Sequence, residues 1–313
     1  MVGLDILITA PVMAWQPIID GLLIGAVFAL AAYGLALVWG VMNIINVTQG
    51  EFVILGGYVA FTLYDKKLPI DLNAAGPAGI AVYMLLSILL ATAVLYVIGW
   101  LLYRSVLYKI MDRDLFVSLL ATYGISIVMQ QLMNAIFGTD SESLPAFLGS
   151  WFLFDGLIAV SIVKVIAFIL AFALGGILFV FLKYSRMGQA IRATSQNARA
   201  ARVLGIDTDK VYATTYALNA AICGAAGALV GMAYTLHPYI GLPYTVRSFM
   251  IVIIAGLGNV GAVIGAALGL GASENMVGFI FGAEFQIAFV FGLLVVVLVF
   301  RNWRLGRKRQ YLK

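Results

Sequence analysis

The sequence predicts an all-α polytopic membrane protein of about eight transmembrane helices, some of them broken or re-entrant. Three observations carry this. The 313 residues are 63% hydrophobic and only 11% charged, with a mean hydropathy of +1.05, whereas a soluble domain carries roughly a quarter charged residues. Several apolar runs exceed the ~20 residues that a helix needs to cross ~30 Å of hydrocarbon. Those runs are continuous in Leu, Ala and Ile, without the two-residue alternation of a barrel strand, and backbone in lipid must otherwise be helical.

Taken in order, the spans are expected at 18–41, 43–64, 78–103, 115–137, 158–182, 211–236, 246–281 and 282–300. Of 19 Lys and Arg residues, three lie in 104–114 (Arg104, Lys109, Arg113), six in 183–210 and six in the tail 301–313. These basic segments mark the cytoplasmic side. The connection 138–157 holds Asp140, Glu142 and Asp155 and no basic residue, which suits the opposite side. With 183–210 and the tail both cytoplasmic, an even number of crossings lies between them. Region 246–281 must then enter and return or cross twice, and Gly256 and Gly258 are where a helix would break. The N-terminus falls outside by the same count. Residues 1–17 lack a basic start and a small-residue cleavage site, so no cleavable signal peptide is expected. The net charge of +5 reads as membrane topology, not nucleic-acid binding.

The stretch NIINVTQGEF places Asn43, Asn46, Thr48, Gln49 and Glu51 between two apolar spans with no basic residue or turn-rich loop. Polar groups at membrane depth face a bundle interior or a water-filled cavity, and broken helices near the midplane are how transporters present polar groups to substrate. The other reading is a re-entrant turn whose side chains only satisfy backbone groups. Glu274, beside Ser273 and Asn275, is either a second pathway residue or a helix end near interfacial water. Asp20 reads as a helix start at the outer interface. Lys164, six residues inside its span, can snorkel.

Between the basic residues of 183–210, Ser195 or Thr194 is placed to cap a short helix over Asn197–Leu204, ended by Gly205. Asp207 or Asp209 then starts the next helix. Ala200, Val203 and Leu204 beside Arg199 and Arg202 make a small semi-apolar surface suited to a partner's groove or to lipid.

Enzymatic signatures are missing. The chain has no phosphate loop, no H-E-x-x-H and no G-x-S-x-G, and one Cys (Cys223) with one His (His237) cannot form a Cys/His metal site. Gly256, Gly258 and Gly261 spell G-x-G-x-x-G, but that fingerprint requires a soluble βαβ unit. Continued as Gly261, Gly265 and Gly269, the same glycines have the small-residue spacing of close-packed membrane helices.

Three motifs in order, GLLIGAVFALAAYGLALVWGVMNIINVTQGEFVILGGY, MGQAIRATSQNARAARVLGIDTDKVYATTYALNAAICGAAGAL and FMIVIIAGLGNVGAVIGAALGLGASE, give nearly the whole chain a resemblance. It resembles the inner-membrane permease subunits of bacterial ABC importers for branched-chain amino acids. The resemblance implies a single transmembrane permease domain over 1–313 in the bacterial inner membrane, with coupling loop and C-terminus cytoplasmic. It implies a second permease, copy or paralogue, two cytoplasmic ATP-binding subunits that hold ATP and magnesium, and a periplasmic binding protein. No cofactor is expected in this chain. The segment Ala200–Gly205 matches the family's coupling loop, which contacts the ATPase, and Arg199, Ala200, Arg202, Leu204 and Gly205 are the candidate coupling residues. The stretch from Asn43 to Glu51 matches the family's polar motif after its first conserved span, and Asn43, Asn46, Thr48, Gln49, Glu51 and Glu274 are the candidate substrate-pathway residues. The family shows an aromatic, a small residue and His before Gly-Glu, where this chain has Val47, Thr48 and Gln49. That departure leaves substrate open between branched-chain amino acids and urea, short amides or small organic acids. A secondary transporter or channel without an ATPase is the other class, and Glu51 and Glu274 are the acids it would use.

Overall fold

Two Ala- and Gly-rich helices, α1 (Trp15–Met42) and α8 (Thr208–Ala233), form the centre of the molecule and are buried over most of their length. The computed structural model describes residues 11–65, 76–111, 113–143, 149–154, 156–256 and 260–310. Around the two central helices lie α2 (Gln49–Asp65), α3 (Gly76–Ser105), α4 (Leu115–Phe137) and α5 (Ile162–Tyr184). Two short helices follow, α6 (Arg186–Gln196) and α7 (Ala198–Val203), and after α8 come α9 (Gly241–Ala255), α10 (Val260–Phe281) and α11 (Glu284–Gln310).

Seven described helices are long and apolar enough to cross a membrane. α2 and α9 are not among them. At 17 and 15 residues they rise only ~25 and ~22 Å at 1.5 Å per residue. The expected span 43–64 therefore divides into an unwound segment, 43–48, and a helix from Gln49. Region 246–281 is likewise two helices. α9 ends at Ala255, where Gly256 takes φ 78° and returns its N–H to the Val252 carbonyl at 3.0 Å. Gly258 lies outside the described residues. The expected helix start at 158 is instead strand. Ser150–Leu153 pairs antiparallel with Ile158–Ser161, and Gly156 turns between them at φ 92°. Ile158 and Val160 point inward by alternation while the partner strand is exposed, so pairing wins over helix for this short β-branched run.

Small residues set the packing. A Cβ on Gly224 would fall 2.7 Å from the Ala91 carbonyl of α3, and one on Gly227 would meet backbone of Val53 and Gly57. A Cβ on Gly99 would lie 2.6 Å from that of Ala220. The α1–α10 contact runs through Gly21, Gly25 and Gly271, whose backbones touch. Gly265 and Gly269 face open space and Gly261 is exposed. Within this chain the close approach is therefore one helical face away from the Gly261–Gly265–Gly269 line. Positions four apart cannot by themselves say which face of an all-apolar helix meets its neighbour.

The short helices also differ from expectation. Arg186–Gln196 is itself helical, capped by Ser185, whose hydroxyl accepts from Gly188 N at 2.9 Å. Thr194 is thereby buried and Ser195 Oγ donates back to the Arg192 carbonyl. Neither caps α7. Asn197, extended at φ −159°, does so instead, its Oδ1 accepting from Ala200 N at 3.0 Å. Asp207 caps α8 through Asp209 N and Lys210 N at 3.1 and 3.0 Å.

Candidate functional site at the crossing of two half-helices

The polar stretch after α1 folds back on itself. From Met42 the chain returns to Ala31, ~16 Å along α1 at 1.5 Å per residue, close to that helix's midpoint. There Gln49 Nε2 donates to the Ala31 carbonyl at 2.6 Å and to Cys223 Sγ at 3.0 Å. α2 begins at this level and runs parallel to α8, so its first turn lies deep within the bundle. α9 starts against it. A Cβ on Gly50 would collide with the Gly241 carbonyl, Gly50 N donates to Thr245 Oγ1 at 2.8 Å, and that hydroxyl donates to the Val47 carbonyl at 3.1 Å. From this crossing α2 heads toward the N-terminal end of α1. α9 heads the other way, carrying Tyr244 to Phe28 and Phe249 to Trp39.

Around the crossing the predicted residues take different roles. Asn46, Thr48 and Gln49 are fully buried and satisfy one another. Asn46 Nδ2 donates to Gln49 Oε1 at 3.2 Å, Thr48 Oγ1 donates to Asn46 Oδ1, and Tyr216 OH joins both. This is the arrangement required of polar groups in a low-dielectric interior. Asn43 stands apart, exposed at the end of α1 in the left-handed conformation (φ 51°).

Glu51 is 1% exposed. Its Oε1 accepts from Ser126 Oγ at 3.2 Å and Gln130 Nε2 at 2.9 Å, both on α4. Its Oε2 has no partner among the described residues. The carboxylate lies over Gly241, where a Cβ would sit 2.5 Å from Glu51 Cδ.

Glu274 is neither a helix end nor open to water. It sits within α10, 3% exposed, gripped by Arg247 of α9, whose Nε donates to Oε2 at 2.9 Å and Oε1 at 3.1 Å while Nη2 also reaches Oε1. The guanidinium is flanked by the Phe28 and Tyr244 rings at 5.1 and 5.5 Å, a desolvated cation–π setting. Sequence reasoning assigned Arg247 no role, although a lone Arg inside TVRSFMIVIIA was a signal. Lys164 likewise does not snorkel freely. It pairs with Asp20 at 2.7 Å, and Asp20 lies within α1, not at its start.

At the other end of the molecule α7 projects Val203 and Leu204, 87% and 80% exposed, with Arg199 and Ala200 also exposed. Gly205 turns the chain at φ 84°, and Arg202 donates to Thr208 Oγ1 at 3.1 and 2.9 Å, bracing α7 on α8. An open apolar groove of about 320 Å³ lies between α1, α5 and α10, lined by Ala26, Tyr33, Ala171, Gly175 and Gly261.

A family model described as branched-chain amino acid transport system / permease component matches residues 18–298. The chain is 29% identical over 290 residues to the high-affinity branched-chain amino acid transport system permease protein LivH of Escherichia coli, covering 91% of this chain and 92% of the relative. It is 28% identical over 293 residues to the BraD permease protein of the corresponding system in Pseudomonas aeruginosa, covering 91% and 93%. A probable branched-chain amino acid transport permease protein LivH of Methanocaldococcus jannaschii is 28% identical over 300 residues, covering 90% and 87%. No solved structure matches the chain.

Proposed function

The chain belongs to the family of branched-chain amino acid transport system permease components, and from that premise we propose that it forms the membrane pathway of an ATP-driven importer of branched-chain amino acids. The near-complete match to the family and to its named relatives carries this reading. In it a periplasmic binding protein delivers substrate and a second permease completes the pathway. Two cytoplasmic subunits hold ATP and magnesium, and the chain lies in the inner membrane with α7 and the C-terminus cytoplasmic. The unwound segment 43–48 and the N-termini of α2 and α9 serve as the substrate-facing break, as in other transporters with discontinuous helices.

Val203, Leu204, Ala200 and Arg199 on α7 form the contact with the ATPase, an apolar knob with a basic flank. Arg202 and Gly205 fix its angle to α8. Closure of the ATPase dimer displaces α7, and α8 carries that displacement to Tyr216, Asn219 and Cys223 beside the crossing. For this to drive transport, the α7 contact must differ between the two states.

The test is co-expression with a cognate ATP-binding subunit and binding protein, followed by co-purification and uptake of labelled leucine. Retention of the ATPase and ATP-dependent leucine uptake are expected. Uptake that persists without the ATPase would make the chain a secondary transporter, and uptake of urea or short amides in place of leucine would move the substrate.

A further inference from the structure

Both basic side chains engaged in membrane-helix ion pairs among the described residues are held by carboxylates other than Glu51. Lys164 is on Asp20 and Arg247 is on Glu274. Glu51 is as buried as any of these groups, yet among the described residues it has no cation and one of its oxygens is unpartnered. Two helix N-termini converge on it. It lies in the first turn of α2, and its carboxylate rests on Gly241, the first residue of α9. Helix N-termini favour negative charge, so they supply the positive potential that no basic side chain among the described residues brings to Glu51.

The cover over Glu51 is polar. Along α4, Ser118, Thr122, Ser126 and Gln130 recur every four residues on one face. Thr122 Oγ1 donates to the Ile45 carbonyl at 3.0 Å and accepts from Val47 N at 3.1 Å, and Ser126 and Gln130 bond Glu51. The Phe137 ring stacks on Tyr58 at 4.4 Å. The opposite face carries Phe116, Leu120, Val128 and Ile136, all exposed. α4 is thus held to the crossing by hydrogen bonds that water or a ligand can take over one for one, unlike the interlocked glycines that hold α2 to α8.

We propose that Glu51 is the acceptor for the α-ammonium group of the transported amino acid and that α4 is the element that uncovers it. When α4 withdraws, Oε2 and the Oε1 released by Ser126 and Gln130 receive the ammonium. When it returns, the same two side chains take Oε1 back and displace the substrate onward. No covalent bond is made or broken in this exchange, and the substrate ammonium faces Glu51 only while α4 is open. The inference rests on the amino-acid reading above.

Its test does not need the substrate. In the assembled transporter, Ser126→Cys is labelled with a cationic (trimethylammonium-ethyl) or an anionic (sulfonato-ethyl) methanethiosulfonate, with the parent bearing only Cys223 as the background. Labelling should be slow at rest and rise about tenfold during ATP turnover, with the cationic reagent favoured by about tenfold, a preference in keeping with a charge within a few ångströms. Glu51→Gln should abolish that preference and Glu51→Asp should keep it. No labelling during turnover, or an unchanged preference in Glu51→Gln, overturns the proposal. If Glu51→Gln fails to assemble, Ser126→Cys alone decides, because equal rates with the two reagents also overturn it. A transporter that takes up leucine with ATP but shows no cation preference loses only the Glu51 assignment. One whose uptake ignores ATP loses the wider reading.

Discussion

Gly50 and Gly241 meet backbone to backbone, the Cα of one against the carbonyl of the other, at the point where α2 and α9 start in opposite directions. Neither position has room for a methyl group. Gly50→Ala would press on Gly241 and Thr245, and Gly241→Ala would drive into the Glu51 carboxylate. Overpacking of this kind costs about 1–3 kcal/mol. Both variants should lower the unfolding temperature of the detergent-solubilised protein, and an unchanged melting curve would show that the crossing opens readily.

The Arg247–Glu274 pair, with side chains 12% and 4% exposed, should behave as a buried ion pair. Removing one partner, as in Arg247→Met or Glu274→Gln, leaves an uncompensated group and should cost about 3–5 kcal/mol. The double variant Arg247→Met/Glu274→Leu should recover most of that loss. Thermal denaturation of the three variants tests this, and a double variant no better than the singles would show that the pair is needed as charges.

The glycine faces of α10 separate cleanly. Gly271→Leu puts a side chain into the backbones of Gly21 and Gly25 and should abolish stable expression. Gly269→Leu points into open space and should leave the folded monomer intact. Equal damage from both, read by fluorescence-detected gel filtration, would mean that Gly269 is covered by another subunit.

On α7, Gly205→Pro is incompatible with φ 84°, since proline holds φ near −65°. Asn197→Ala removes the cap, worth about 1 kcal/mol. Both should reduce ATPase co-purification and uptake while membrane insertion is unchanged. Arg199→Glu with Leu204→Ser should do the same through the contact surface alone, and full uptake in that variant would remove α7 from the coupling role.

Much of the molecule was legible in order. The hydrophobic runs located the spans because lipid leaves the backbone no alternative to the helix. The cluster from Asn46 to Glu51 announced a break at membrane depth because polar groups there must be satisfied. The parity of basic loops required a turn near Gly256, where α9 ends. Less legible was whatever depends on facing. In a helix apolar all round, Gly265, Gly269 and Gly271 look alike, and only contact distinguishes them. The cap of α7 moved from Ser195 to Asn197 because α6, an amphipathic helix of eleven residues, had absorbed the earlier candidate.

By itself the sequence determined that this protein is a multi-helix membrane protein, with a polar break after the first span, another near Gly256 and a short basic helix between spans. Those properties follow from composition and local chemistry. The tertiary structure alone decided which charges are paired. Arg247 and Glu274 are 27 positions apart in sequence and Lys164 and Asp20 are 144 apart, so no local pattern joins them. It also decided that Glu51, unlike these, lies at two helix N-termini with no cation among the described residues. The physical reason is the same in each case. Burial makes an ionised group depend on whatever the fold brings within bonding distance, and that is a property of contact, not of spacing along the chain.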